Sequence, residues 1–232
     1  MALRRQWGWS VAALLYERAY VRVAHQTDSD LLAYLGARVV GATVADCGCG
    51  PGVVSEKFLR AGAARVVAID ANRRMLARAR RRLAKAVASG QVLLYHGSYD
   101  ALPAVQRQVL GGRGFDLVLF KRSLYMSPPR ALRTLRQAAA AVRPQGVLLV
   151  VHPERALRRY AFAPPWGVTS YTLFHLLNRG LSRLAASCGA EEYTLYTQAE
   201  LLALLRTALP AAHVVLVPTR QRPYNLAAVH LP

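Results

Sequence analysis

Residues 44–52 read Val44-Ala45-Asp46-Cys47-Gly48-Cys49-Gly50-Pro51-Gly52. The apolar run from Ala42 to Ala45 predicts a buried β-strand, and Val53 to Arg60 predicts the helix that follows it. Between them a glycine stands at every second position, which permits a tight turn and lets backbone N–H groups approach a ligand without a Cβ in the way. The stretch therefore predicts a strand–turn–helix unit that binds a nucleotide-like ligand.

The spacing of these glycines differs from that of a dinucleotide site. It is Asp-x-Gly-x-Gly-x-Gly, whereas the dinucleotide fingerprint is Gly-x-Gly-x-x-Gly. A carboxylate at Asp46 would repel a pyrophosphate and suits a cationic ligand. A second apolar strand, Arg65 to Asp70, ends in an acid 18 residues after Gly52. A carboxylate there can accept hydrogen bonds from both ribose hydroxyls, although a surface Asp or the acid of an NAD enzyme would look the same.

The glycine run resembles the first motif of class I S-adenosylmethionine-dependent methyltransferases, whose cofactor carries a sulfonium and an ammonium group. This resemblance implies an α/β fold with a Rossmann-like, doubly wound, mostly parallel sheet and an antiparallel last strand. It also implies a set of cofactor contacts. These are the methionine end at Asp46, Gly48, Gly50 and Gly52, the ribose at Asp70, the adenine at Ala71, Asn72 and Met75, and the ammonium at the backbone near Phe120 and Lys121.

The turn after the third predicted strand, Gln91 to Tyr95, resembles the family's adenine-binding turn. The family pattern is commonly Gly-Asp-Ala-x-x-Leu-Pro, and this chain has Gly97 followed by Ser98, Tyr99 and Asp100. Ser98 stands where the acid usually is, and Asp100 comes two residues later. Either side chain could meet the adenine amino group.

The series from Leu124 to Gly146 resembles the small-molecule branch of the family, including the quinone-biosynthesis methyltransferases. Phe115 to Phe120 predicts the fourth strand. Arg143-Pro144-Gln145-Gly146 resembles the family's Arg-Pro-Gly-Gly turn before the fifth strand, Val147 to Val151. The Asn/Asp-Pro-Pro-Tyr/Phe signature of enzymes that methylate base amino groups is missing, because the chain has Ser127-Pro128-Pro129-Arg130.

His152 is the predicted general base, since it follows the fifth strand and open α/β sheets bind ligands at their carboxyl ends. A structural or solvated histidine is the alternative. Tyr125, Tyr171 and His175 are weaker candidates. Lys121 and Arg122 would either bind an anionic acceptor or lie in solvent.

The charge of the chain points to an anionic partner or to codon usage. Its 232 residues carry a net charge of +19, and 28 of the 31 basic residues are arginine. A nucleic acid or an anionic membrane surface would attract such a protein. Codon bias toward Arg and Ala would give the same composition. The basic run from Arg73 to Lys85 is expected to be a solvated helix face.

The three cysteines form no disulfide framework or metal-ligand spacing, so we predict a reducing cytoplasm and no metal. Composition and length predict a single domain over residues 1–232. It comprises N-terminal helices (1–40), a cofactor-binding core (42–152), an acceptor-side insertion (153–190) and a last helix with a terminal hairpin (191–232).

Further predicted elements lie at the two ends of the chain and after the second strand. They are an aromatic helix from Trp7 to Ala24 and a short helix from Thr27 to Leu35, then a helix from Asn72 to Val87, a capping-box helix from Thr197 to Leu205, and strands from His213 to Pro218 and Asn225 to Leu231. The first helix would either pack in the core or lie on a membrane.

The predicted activity is therefore methyl transfer from S-adenosylmethionine to a small or lipid-like acceptor, with peripheral contact to an anionic membrane as a further expectation. RNA methylation and a non-catalytic scaffold are the alternatives.

Overall fold

A computed structural model describes residues 27–153, 194–219 and 224–232. Several predictions lie outside these residues. They are the helix from Trp7 to Ala24 and, within the acceptor-side insertion, residues 154–190 with Tyr171 and His175.

The described residues form one seven-stranded sheet whose strand order is β3-β2-β1-β4-β5-β7-β6. Adjacent strands from β3 to β5 are parallel, whereas β7 runs antiparallel to both β5 and β6. This arrangement confirms the predicted doubly wound sheet with an antiparallel last strand. The strands are β1 (Thr43–Cys47), β2 (Arg65–Asp70), β3 (Val92–His96), β4 (Phe115–Lys121), β5 (Val142–Pro153), β6 (His213–Val217) and β7 (Tyr224–His230).

Helices cover both faces of the sheet because successive strand residues point to opposite sides. The helices are α1 (residues 27–35), α2 (Val53–Arg60), α3 (Arg73–Arg82), α4 (Ala84–Ala88), α5 (Leu102–Leu110), α6 (Pro128–Ala140) and α7 (Gln198–Ala208). Short 3₁₀ helices span Gly36–Val39 and Tyr99–Ala101. Val44 of β1 packs with α1, α2 and α3, whereas Ala45 packs with α5, α6 and α7.

The helix that we predicted from Asn72 to Val87 is divided in two. Leu83 has φ −101° and ψ 19°, so it ends α3, and its side chain is buried. Asn72 is the N-cap rather than part of the helix, and it accepts hydrogen bonds from the N–H groups of Arg74 and Met75. Most of the basic run is exposed, as expected, but Arg82 pairs with Glu56 of α2 at 3.4 Å.

The fifth strand is longer than predicted because it contains an irregularity. Phe115 pairs with Val142 and Leu117 pairs with Val147, so two positions along β4 correspond to five along β5. Gln145 has φ 64° within this stretch. The Arg143-Pro144-Gln145-Gly146 turn is therefore a bulge inside β5, and the regular parallel pairing begins at Val147.

Two local predictions at the carboxyl-terminal end are confirmed. The capping box of α7 forms, with Thr197 and Glu200 each accepting the other's backbone N–H. The terminal hairpin forms from β6 and β7. Among the helices that the structure describes, none combines the length and the apolar composition needed to cross a bilayer.

Candidate functional site

The glycine turn after β1 has the left-handed backbone that its sequence predicts. Gly48 and Gly50 have φ values of 80° and 55°, a region that glycine adopts without strain. The N–H groups of Gly48 and Cys49 donate to the Ile69 carbonyl at 2.8 and 3.0 Å, which fixes the turn to β2. A Cβ built on Gly48 would overlap that of Ser123, whereas a Cβ on Gly50 would have nothing within 4 Å. Gly50 thus faces open space.

Asp70 joins this turn to the end of β2. Its Oδ2 accepts the Gly50 N–H at 2.8 Å, and its Oδ1 accepts the Asn72 N–H at 2.7 Å. Burial raises the pKa of this carboxyl above its ordinary value, and the two backbone N–H groups partly offset that rise. Each oxygen keeps a lone pair, since a carboxylate oxygen accepts about two hydrogen bonds. The carboxylate can therefore bind a diol while it holds the turn in place.

Asp46 lies beneath the turn rather than on its surface. It is buried, and it accepts the Ser55 hydroxyl of α2 at 2.6 Å. Burial raises its pKa to about 6. Its described side-chain contact is therefore with α2. Ser55 was not singled out in the sequence, where a serine inside a helix carries no signal.

The residues predicted at the adenine are brought next to Asp70. Asn72 caps α3, Met75 is a buried residue of the first turn of that helix, and the Ala71 carbonyl contacts His96 Nε2 at 3.1 Å. The Asn72 amide oxygen is occupied by the cap, its backbone N–H is bonded to Asp70, and its carbonyl accepts the Leu76 N–H at 3.1 Å, so the residue is held firmly beside Asp70.

The turn after β3 brings Tyr99, rather than Ser98 or Asp100, toward the glycine turn. Tyr99 donates its hydroxyl to the Ser123 carbonyl at 2.9 Å and packs edge-on against Phe120, with 5.5 Å between ring centroids. Burial raises the pKa of Tyr99, so the hydroxyl stays protonated. Ser98 and Asp100 hydrogen-bond to each other at 3.0 Å.

Lys121 and Arg122 are both buried, which contradicts the second of the two alternatives, that they lie in solvent. The Lys121 ammonium forms an ion pair with Asp28 of α1, and Lys57 of α2 contacts the same carboxylate at 2.7 Å. Two distant cations thus share one buried acid. No local pattern marks this pairing, because Asp28 and Lys121 lie 93 positions apart in the sequence.

Ser123 is a further residue that the sequence did not mark. Its hydroxyl donates to the Cys47 carbonyl at 2.6 Å, which ties the end of β4 to the end of β1. Its Cβ also fills the space beside Gly48. Cys47 and Cys49 are both buried, and burial raises the pKa of each thiol.

His152 is buried at the carboxyl end of β5, where its Nε2 accepts the Tyr196 backbone N–H at 3.1 Å. Burial lowers its pKa to about 3, so the ring is neutral and carries its proton on Nδ1. The rings of Tyr125 and Tyr196 lie 5.4 and 5.2 Å from it. In this geometry neither ring nitrogen offers a free lone pair, which opposes the predicted role as general base.

Most of the predicted cofactor residues therefore meet at one edge of the sheet. The glycine turn, Asp70, Tyr99 and Phe120 lie at the carboxyl ends of β1 to β4, and His152 lies at the end of the neighbouring β5. Ligands of open parallel sheets bind at this edge. Open space at Gly50 beside the Asp70 carboxylate fits the ribose of a nucleoside cofactor.

Part of the chain resembles known proteins in sequence, and the chain resembles others in fold. Residues 44–146 match the family model described as a methyltransferase domain. No curated protein matches the sequence at a significant level.

Among solved structures, the apo form of the S-adenosylmethionine-dependent methyltransferase SibL is 24% identical with a TM-score of 0.59, over 88% of this chain and 54% of that one. This chain thus spans about half the length of SibL.

Two further structures carry a bound product of the cofactor. Magnesium protoporphyrin IX methyltransferase from Synechocystis, with bound S-adenosylhomocysteine, is 18% identical with a TM-score of 0.58, over 89% of this chain and 82% of that one. The 1,6-didemethyltoxoflavin-N1-methyltransferase from Burkholderia thailandensis, with bound 1,6-didemethyltoxoflavin and S-adenosylhomocysteine, is 21% identical with a TM-score of 0.61, over 99% and 87%. These likenesses show a shared fold.

Proposed function

We propose that this chain transfers a methyl group from S-adenosylmethionine to a small-molecule acceptor, because residues 44–146 match the family model of a methyltransferase domain. One observation carries the proposal. The Asp70 carboxylate is held by the N–H groups of Gly50 and Asn72 at the edge of the open space over the glycine turn.

The proposed cofactor contacts follow from this arrangement. Asp70 binds the ribose hydroxyls, and Ala71, Asn72 and Met75 border the adenine. The turn of Ser98, Tyr99 and Asp100 closes the same side. Gly48, Gly50 and Gly52 let the chain pass close to the methionine end, with Asp46 beneath them. The backbone at Phe120 and Lys121 completes the ammonium site.

S-adenosylmethionine supplies a methyl group on a sulfonium, which an acceptor atom displaces in line. The task of the protein is therefore to hold the acceptor atom close to the methyl group along the breaking bond. The turn fixed by Ile69, Asp70 and Ser123 is rigid enough for this, because each anchor is a hydrogen bond between 2.6 and 3.0 Å. Positioning, rather than proton removal by His152, is the contribution we assign to these residues.

The acceptor that we propose is small or lipid-like. The missing amino-methylation signature at Ser127 to Arg130 opposes a nucleic-acid base. The net charge of +19 suits a peripheral contact with an anionic membrane, at which a lipid-like acceptor would be held, and we propose a cytoplasmic location on that surface.

Calorimetry with S-adenosylhomocysteine tests the proposed cofactor. We expect micromolar affinity for the wild type and no binding of NAD under the same conditions. A wild-type chain that binds neither S-adenosylmethionine nor S-adenosylhomocysteine would remove the proposed activity. Sedimentation with vesicles tests the membrane contact, which should grow with anionic lipid and fall with salt. Tight, strongly salt-dependent RNA binding without vesicle binding would favour RNA as the acceptor.

A further inference from the structure

Two polar residues interrupt the apolar pairing of β5 with β7. His152 of β5 lies directly opposite Asn225 of β7, at the carboxyl end of β5. Strand alternation places both side chains on the α5–α7 face, because Val150 and Ala227, two positions away from each, belong to the core on that face. Opposite residues in an antiparallel pair have Cβ atoms about 4.5–5.5 Å apart. The two side chains are therefore neighbours.

Each of these side chains has a buried nitrogen with an unused hydrogen. The Tyr196 N–H occupies His152 Nε2, so the proton of the neutral ring is on Nδ1. In the part of the chain that the structure describes, neither His152 Nδ1 nor Asn225 Nδ2 has a hydrogen-bond partner. His152 is 0% exposed and Asn225 is 7% exposed. Buried donors almost always have a hydrogen-bond partner, so two unpaired buried donors on neighbouring residues require an explanation.

The position of His152 and Asn225 in the sheet indicates which ligand could accept hydrogen bonds from them. Lys121, at the end of β4 and at the proposed ammonium site, pairs with Val151 of β5. His152 is the next residue of β5, so it lies one position beyond that site. Tyr125, which follows β4, is partly exposed and its ring lies 5.4 Å from that of His152. Given the proposed cofactor placement, the donors lie at the edge of the sheet from which an acceptor would approach the methyl group.

We propose that His152 and Asn225 form a donor pair that binds a carbonyl oxygen of the acceptor. This inference rests on the proposed methyltransferase function and names a property of its acceptor. Two N–H donors match the two lone pairs of one carbonyl oxygen. The pair contains no cation, because the ring of His152 is neutral, so it suits an uncharged oxygen. His152 is on this view a specificity residue that donates a hydrogen bond.

A matched pair of probes tests the preference for a carbonyl. 1-Indanone and indane have nearly the same shape and differ in one carbonyl oxygen. We would measure both dissociation constants by ligand-observed NMR, with S-adenosylhomocysteine present and absent. The wild type should bind 1-indanone at least about tenfold more tightly than indane, the order expected for one to two hydrogen bonds. Equal affinities, or no binding of 1-indanone up to its solubility, would overturn the proposal.

Two variants assign the preference to the pair. Asn225→Leu keeps the volume but lacks the donor, so most of the difference between the probes should disappear while S-adenosylhomocysteine affinity is retained. His152→Gln keeps an oxygen for the Tyr196 N–H and an amide donor, so it should retain part of the preference. An undiminished preference in Asn225→Leu would contradict the proposal.

A second measurement remains decisive if Asn225→Leu does not fold. Nitrogen-15 spectra of the wild-type histidines should show the Nδ1–H tautomer of His152, and 1-indanone but not indane should shift that signal. A shift by both probes, or by neither, would overturn the proposal. If S-adenosylhomocysteine binds and no carbonyl preference is found, the donor pair is wrong and the proposed function stands. If S-adenosylhomocysteine does not bind, the proposed function itself fails.

Discussion

Two alanine substitutions in the glycine turn should separate its structural role from its binding role. Gly48→Ala forces a left-handed alanine, which costs about 1–2 kcal/mol, and places a methyl group into Ser123. Ser123 cannot move easily, because its hydroxyl holds the Cys47 carbonyl at 2.6 Å. Overpacking of this kind costs about 1–3 kcal/mol more. The unfolding free energy should therefore fall by about 2–5 kcal/mol.

Gly50→Ala is the matched control in the same turn. It has the same left-handed strain, but its methyl group meets nothing within 4 Å. The stability loss should then be only about 1–2 kcal/mol. The methyl group would, however, enter the space that we assign to the cofactor, so affinity for S-adenosylhomocysteine should fall by about tenfold or more, equivalent to about 1.4 kcal/mol.

The assays are urea unfolding followed by circular dichroism, and calorimetric titration with S-adenosylhomocysteine at a temperature where both variants are folded. The expected pattern is that Gly48→Ala loses more stability and Gly50→Ala has the larger ratio of affinity loss to stability loss. Equal destabilisation by the two substitutions would refute the steric argument at Ser123. Unchanged affinity in Gly50→Ala would refute the location of the cofactor.

Three further predictions concern aspartate side chains. Asp70→Ala should weaken S-adenosylhomocysteine binding by about 1–3 kcal/mol, while Asp116→Ala, which removes a carboxylate that accepts the Thr43 N–H at the opposite edge of the sheet, should leave the calorimetric affinity unchanged. The Asp46 carboxyl has a folded-state pKa of about 6 against an ordinary 3.8, so its contribution to stability is full below pH 3.8 and is lost as the pH rises through 6. Asp46→Asn should therefore gain up to about 3 kcal/mol over the wild type between pH 4 and 7 in urea unfolding, and parallel pH profiles would contradict the raised pKa. Asp28→Asn leaves Lys121 buried without its carboxylate and should cost about 3–5 kcal/mol in unfolding free energy, with partial recovery in Asp28→Asn/Lys121→Met; no recovery would show that the ion pair is not the cause.

Local sequence patterns were sufficient for the central part of the fold. Val53 to Arg60 and Arg65 to Asp70 have the predicted boundaries, and the glycines of the turn before Val53 have the positive φ that the turn requires. The family resemblance supplied the antiparallel last strand. These features depend on short-range periodicity and turn chemistry, which are visible in a single sequence.

The corrections arise where distant residues meet. From the sequence Lys121 could bind an anion or lie in solvent, whereas the structure buries it against Asp28. The hydrogen bond from Ser55 of α2 to Asp46 is likewise a contact that the sequence does not indicate. His152 looks like a base until the Tyr196 N–H takes its Nε2. In each case a tertiary partner decides the protonation state or the exposure of the side chain, and no local pattern specifies that partner.

The insertion of β7 between β5 and β6 also has a kinetic consequence. Residues that pair between β5 and β7 are about 70–80 positions apart in the chain, whereas those that pair between β1 and β2 are only about 22 apart. Closing so long a loop costs more conformational entropy than the β5–β7 contacts recover until they have formed. Because this pairing has a high contact order, we expect it to be a late folding step. Until then the edge of β5 is an unprotected strand that can pair with another molecule. His152 of β5 and Asn225 of β7 would come together only when these two strands pair. A refolding intermediate without β5–β7 pairing should therefore bind the cofactor but not select an acceptor.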